Sequence, residues 1–204
     1  MTLFQPTFFS PIIQYVGIVQ CSKILFEIED NFQKQTYRNR CYINTANGKH
    51  LLNVPFQHSK GIKIKTKDVK IDYKDDWHKI FIKTLKTAYN SSPFFEFYID
   101  ELLPIINKKH TFLLDLNFNC HLFVMEALQL EIPFLKTLEY EKYFESSDFR
   151  NLANVSSKDN FKLGNYTQVY DQNNGFISNL SILDLIFMEG PSAENYLKNQ
   201  TLQF

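Results

Sequence analysis

The sequence predicts an α/β (or α+β) fold, read as one domain over residues 1–204. A central mixed sheet comes from the N-terminal half with helices packed on it, and the C-terminal half is mainly helical. Three observations carry this reading. The first 30 residues alternate extended, helical and extended patterns; an Asn-Gly turn separates two β-rich runs near residue 47; and from Trp77 onward apolar residues recur at helical spacing.

Thr2 to Gln5 is apolar and runs into Pro6, which biases the preceding residue toward extended backbone. From Pro11, the apolar set Ile12, Ile13, Tyr15, Val16 and Val19 fits one helix face, with proline tolerated in the first turn. Lys23 to Ile28 is the next strand, so strand, helix and strand follow within the length of a βαβ unit. Thr36 to Ile43 reads as a further strand, Asn44 to Gly48 as its turn and Leu51 to Val54 as its partner. Ile62, Ile64, Thr66, Val69, Ile71 and Tyr73 alternate with lysines and Asp72, which suits either a solvated strand face or a phosphate-binding strip.

Trp77 to Tyr89 has helical spacing behind Asp75 or Asp76, and Phe94 to Ile106 forms a second helix around Pro104. A third, opened by Asp115, is so apolar through Leu130 that it belongs in the core. Periodicity fails from Ser146 to Gln172. Ser181, with Asp184 three residues on, then reads as the cap of a helix ending at Glu189-Gly190-Pro191, and a last short helix spans Ser192 to Asn199.

Lys plus Arg and Asp plus Glu each total 22, so no net field exists to hold nucleic acid or an anionic membrane. Three widely spaced cysteines without a CxxC pair indicate neither a disulfide framework nor zinc. His50, His58, His78, His110 and His121 are scattered without HxxxH spacing, so no metal and no cofactor are expected. The apolar N-terminus lacks a cation before Lys23 and is broken by Pro6 and Pro11, unlike a signal peptide, and no run reaches the ~18 apolar residues of a membrane helix. A cytoplasmic protein without a membrane span is expected.

Two stretches carry candidate chemistry. In Gln33 to Cys41, QKQTYRNRC, an extended backbone places Lys34, Thr36, Arg38 and Arg40 on one face and Tyr37, Asn39 and Cys41 on the other. Arg38 and Arg40 would then stand about 7 Å apart, close enough to share one phosphate or carboxylate. Glu27, Glu29 and Asp30 lie just upstream, so the same arginines could instead close a salt-bridge network. The second stretch is the turn Gln5 to Pro11 at the end of the first strand, where open α/β sheets place ligands. Its bland reading is a proline-stiffened turn packed by Phe8 and Phe9.

Several blocks together resemble the WbqC-like protein family. They are the turn Gln5 to Pro11, Glu29-Asp30, Lys34 to Arg40, Leu52 to Pro55, Trp77, Ala88 to Phe95 and Phe176 to Asp184. The wording KQTYRNRC, NSSPFFEFY and LSILDLIFMEGPSAENYL is most similar to the shorter branch found in Bacteroidetes. Members are often encoded in clusters for O-antigen and other surface polysaccharides. The resemblance therefore implies a transferase acting on nucleotide-sugars or on activated acyl or aminoacyl groups.

In that reading Gln5, Lys34, Tyr37, Arg38, Asn39 and Arg40 bind a phosphorylated small molecule, and Glu29 or Asp30 acts as general base. The alternative is a non-catalytic scaffold for envelope assembly, with a homo-oligomer as one arrangement and the charges forming a structural network.

Overall fold

The computed structural model describes residues 1–57, 63–154 and 161–202. In chain order the elements are β1 (Thr2–Phe4), α1 (Ile12–Ile18), β2 (Ile24–Phe26), β3 (Arg40–Thr45), β4 (Gly48–Asn53), α2 (Trp77–Tyr89), α3 (Phe95–Asn107), α4 (Leu113–Ala127), β5 (Phe134–Lys136), α5 (Asp171–Asn174), α6 (Ile182–Glu189) and α7 (Ala193–Lys198). Strands of both senses lie mainly in the N-terminal half and the C-terminal half is mainly helical, which is the predicted fold class.

β1, α1 and β2 form the expected unit. β1 and β2 are parallel with Leu3 opposite Leu25, and β5 adds on the far side of β2 with Leu135 opposite Leu25. The sheet order is therefore β1-β2-β5. Side chains alternate across it. Phe26 on one face meets Phe118 of α4 at 5.4 Å between ring centroids, while Leu3, Leu25 and Leu135 share the other face. Gly17 lets α1 lie close to this sheet, since a Cβ there would sit 3.1 Å from the Phe4 ring. β5 left no readable pattern in the sequence, because three residues directly behind Pro133 are too few to show alternation.

β3 and β4 form the antiparallel hairpin, with Thr45 paired to Gly48 at its turn. The expected strand from Thr36 is shorter than predicted and begins only at Arg40. Residues 34–39 turn instead, with Gln35 at a positive φ of 61°. The cause is local: the Thr36 hydroxyl receives the Arg38 N–H and Arg38 Nη1 and donates to Gln33 O, giving the backbone an alternative to a strand ladder. The Tyr37 N–H and C=O are likewise engaged, by Ala153 O and the Phe8 N–H.

The lysine-rich alternation is no continuous strand either. Thr66–Asp68 forms a 3-10 turn, and Lys65, Lys70 and Ile71 make isolated bridges to Asn31, Phe112 and Phe56. Ile62 of that pattern lies outside the described residues, as does His58.

α2 has the predicted span, and Phe81, Leu85 and Ala88 are buried along one stripe. The turn Gln5 to Pro11 is packed by Phe8 and Phe9, whose rings meet Phe81 at 5.3 and 5.8 Å. Such aromatic pairs add about 0.5–1.5 kcal/mol each beyond the area they bury. α4 starts two residues earlier than its expected cap, leaving Asp115 in the first turn. α6 is capped as read: Ser181 Oγ accepts the Leu183 N–H, and Gly190 ends the helix at a positive φ of 51°.

Asp184 does not reach back to that cap. It is buried, accepting from the hydroxyls of Tyr89 at 2.6 Å and Tyr166 at 2.5 Å. A carboxylate from one sequence block thus meets a tyrosine from another, tying α6 to α2 and to the 161–170 segment. Burial pushes Asp184 up from an ordinary aspartate value to about 6, against the tyrosine hydrogen bonds that lower it.

The folded protein therefore binds this proton more tightly than the unfolded chain does. Its contribution to stability is full below pH ~4 and is lost as pH rises through about 6, a change of about 3 kcal/mol. Urea unfolding across pH 4–7 is expected to show that decline, and Asp184→Asn is expected to flatten it.

Candidate functional site

The carboxyl ends of β1, β2 and β5 gather polar groups that strands alone would not explain. Gln5 follows β1, Glu27 follows β2 and Thr137 follows β5, and the sheet ladder continues through Glu27 N–H to Phe4 O and Thr137 N–H to Phe26 O. In parallel sheets this is the end where ligands are bound, because the chain leaves the ladder there and side chains converge.

At its centre is Asp30. Oδ2 accepts from Gln5 Nε2 at 2.9 Å and Arg38 Nη2 at 2.8 Å, and Oδ1 accepts from the Thr66 hydroxyl at 2.5 Å. Arg38 is only 2% exposed. Burial works against its charge, while Asp30 and, further off, Glu27 support it. Asn117 of α4 donates to Arg38 O at 2.8 Å and Pro6 O at 3.4 Å, Gln14 of α1 donates to Gln5 O at 3.0 Å, and Asn39 donates to Val54 O at 2.9 Å. The first turn, the 34–39 turn and two helices are thereby locked to one carboxylate.

Of the residues singled out in the sequence, Gln5, Asp30 and Arg38 are brought together here, and Asn39, next to Arg38 in the chain, turns to Val54 O. Arg38 and Arg40 do not share a strand face. Arg38 is sealed against Asp30, whereas Arg40 opens β3 and is half-buried. Lys34 is exposed on the turn, and Tyr37 is buried edge-on to Tyr42 at 6.0 Å. Glu29 stands apart, with Lys65 and Lys67 each at 2.6 Å; their hydrogen bonds hold it below the usual glutamate range. It is thus a weak base. Cys41 is no nucleophile, since burial pushes its thiol up.

Many buried atoms of the network, and of Arg40 and Glu27 near it in the chain, lack a hydrogen-bond partner. Among the described residues, Gln5 Oε1, Gln14 Oε1, Arg38 Nε, Asn39 Oδ1, Arg40 Nε, Asn117 Oδ1 and Glu27 Oε2 are buried without a hydrogen-bond partner. Buried polar atoms in folded proteins are overwhelmingly paired, each unpaired one costing about 1–3 kcal/mol. Such a concentration in these few neighbouring segments marks them out.

Glu27 differs from the other carboxylates. Oε1 is fixed by the Glu29 N–H at 2.8 Å and the Thr137 hydroxyl at 3.0 Å, whereas Oε2 has only the Arg150 guanidinium at 3.6 Å. Arg150 is itself held by Asp148 and by Glu141 O. Desolvation raises Glu27 above the ordinary glutamate range, against the hydrogen bonds that lower it. It also lines a cavity of about 250 Å3 walled by Leu3, Leu25, Thr137, Leu138 and Phe144. A carboxylate shifted upward by burial and lining a cavity suits proton transfer better than Glu29, which its lysines hold down, or the triply bonded Asp30.

Sequence reading named Glu27 in the acidic cluster without a role, and it passed over Gln14 and Asn117. The signal for those two was present: Gln14 is the one amide of the otherwise apolar α1, and Asn117 lies between the buried Leu116 and Phe118 of α4. Among the described residues no group of three or more His, Cys, Asp or Glu side chains is arranged to hold a metal ion. No described helix is long and apolar enough to cross a membrane.

A model of the WbqC-like protein family matches residues 5–161, a span holding the whole network from Gln5 to Arg150. No curated protein and no solved structure matches the chain.

If the Glu27 charge serves chemistry and not folding, Glu27→Gln keeps the Oε1 contacts and removes a buried anion. Its urea midpoint at pH 7 is expected to equal or exceed that of the parent. A substantially lower midpoint would show that the charge holds the fold.

Proposed function

The chain belongs to the WbqC-like protein family, and from that premise we propose that it is a transferase-type enzyme acting on a nucleotide-sugar or related activated precursor of surface polysaccharide. The observation that carries this reading is a set of seven buried polar atoms without a hydrogen-bond partner, on the Asp30 network, on Glu27 and on Arg40 at the start of β3. Five are oxygens, on Gln5, Gln14, Glu27, Asn39 and Asn117, and two are guanidinium nitrogens, on Arg38 and Arg40. Acceptors in that number match the hydroxyls of a sugar. The two cationic donors match the phosphate that activates it.

In this proposal Arg40 and Arg38 Nε hold the donor's phosphate, and Gln5, Asn39 and Asn117 orient its hydroxyls. Lys34 and Tyr37 flank the entrance. Because Arg38 is sealed in the present state, the donor enters by displacing the turn at residues 33–37, where Gln33, Lys34 and Gln35 are exposed. Glu27 replaces Glu29 and Asp30 as the base. Its Oε2 takes the proton from an acceptor O–H or N–H as that atom bonds to the activated carbon, and the bond to the phosphate oxygen breaks.

One observation favours a second reading, a non-catalytic scaffold: every oxygen of Asp30 is already satisfied within the chain, so the Asp30–Arg38 pair could be structural alone.

A thermal-shift panel of nucleotide-sugars, sugar phosphates and acyl donors separates the two. With a ligand at 100 times its Kd, stabilisation of about 2.7 kcal/mol corresponds to a rise of several degrees in Tm. At least one nucleotide-sugar is expected to give that rise, and Arg40→Met is expected to abolish it while leaving the unliganded Tm within about 2 °C. No response from the whole panel at millimolar concentration would favour the scaffold.

A further inference from the structure

At the opposite, amino-terminal end of β5 lies a cleft of about 600 Å3, between the second half of α4 and the segment that leads into the strand. Volumes of roughly 300–1,000 Å3 are those of small-molecule sites. Leu122, Met125, Leu130, Ile132 and Phe134 give it an apolar wall. Its charged lining residues, Glu126 and Glu131, are both acidic and both exposed. Gln129 completes the rim from a residue at φ 55°, a conformation usually left to glycine, so an amide stands where a helix end ordinarily has no side chain.

His121 forms part of the wall and is 6% exposed. Its Nδ1 faces the buried Tyr15 hydroxyl at 3.1 Å, and its Nε2 has no hydrogen-bond partner among the described residues. Tyr15 stays a phenol because burial pushes it up, and burial lowers His121 to about 4, so the imidazole is neutral at physiological pH. It is boxed by Phe26 at 5.1 Å and Phe134 at 5.5 Å between centroids. A neutral ring with one nitrogen unpaired, beside an apolar cleft whose rim is negative, is arranged for an occupant that is apolar in body and cationic at one end.

We propose that this cleft is a second binding site, separate from the network around Asp30, and that it takes a small apolar amine. The ammonium sits between Glu126 and Glu131, and the apolar body lies on Met125, Leu130, Ile132 and Phe134 against the His121 ring. Charge selects the ligand at the rim, where a carboxylate of the same shape would be repelled, and the apolar wall supplies most of the contact. Nothing in this site depends on whether the Asp30 network binds a sugar donor.

The test uses 2-phenylethylamine as probe, with 2-phenylethanol and phenylacetate as neutral and anionic counterparts, in calorimetric titrations of the full chain. The amine is expected to bind at least about tenfold more tightly than the alcohol, with no binding of phenylacetate. The double variant Glu126→Gln/Glu131→Gln changes only exposed side chains. It is expected to keep the parent Tm and to reduce the amine to the level of the alcohol.

On addition of the amine, the 15N signals of the His121 ring are expected to move. Equal binding of all three compounds, no binding at millimolar concentration, an undiminished preference in the double variant, or binding that leaves the His121 signals in place would each overturn the proposal.

Discussion

A single buried ion pair, Asp30 with Arg38, organises the carboxyl edge of the sheet. Removing two charges from water costs several kcal/mol per ion, and their attraction offsets this only when the remaining lone pairs and N–H groups are also satisfied. Here the carboxylate side is completed by Gln5 and Thr66, and the guanidinium side in part by Thr36. Each partner belongs to a different piece of irregular chain: the turn after β1, the 3-10 turn at residues 66–68, and the 34–39 turn. None of these has a ladder of its own. Their geometry follows from where the charge must be met.

The same constraint fixes where two of the atoms without a hydrogen-bond partner point, Gln5 Oε1 and Asn117 Oδ1. Gln5 must aim its amide nitrogen at Asp30, which fixes where its oxygen points, and Asn117 must spend its nitrogen on Arg38 O and Pro6 O. An amide held by one end in a close-packed interior cannot turn the other end to a new partner. Glu27 is drawn into the same field, its charge opposed by burial and by Asp30 and supported by Arg150. Two carboxylates and two guanidinium groups thus share a small buried region, and only Glu27 combines an upward shift with a cavity wall.

Much of this was legible in the sequence, residue by residue. Asp30 and Arg38 stood out because charged side chains in short runs between apolar strands need partners, and Gln5 because it opens the turn after the first strand; these three meet, while Asn39 bonds Val54 O. The helices from Trp77 to Ala127 and the Ser181 cap were readable from spacing alone. What failed was the assumption that a polar run between apolar ones is extended. Thr36 redirects the backbone through side-chain hydrogen bonds, and the alternation of Arg38 and Arg40 disappears with the strand. β5 was too short to show a period. Glu27 could not be told from Glu29 without depth, since one is buried at the end of β2 and the other meets two half-exposed lysines.

The most direct test is a double-mutant cycle on the pair, with Asp30→Asn, Arg38→Met and both together, followed by urea unfolding at pH 7. If the pair organises this edge of the sheet, each single variant strands a buried partner and loses about 3–5 kcal/mol. The double variant then loses at least about 2 kcal/mol less than the sum of the two. Losses that simply add, or single variants as stable as the parent, would contradict it.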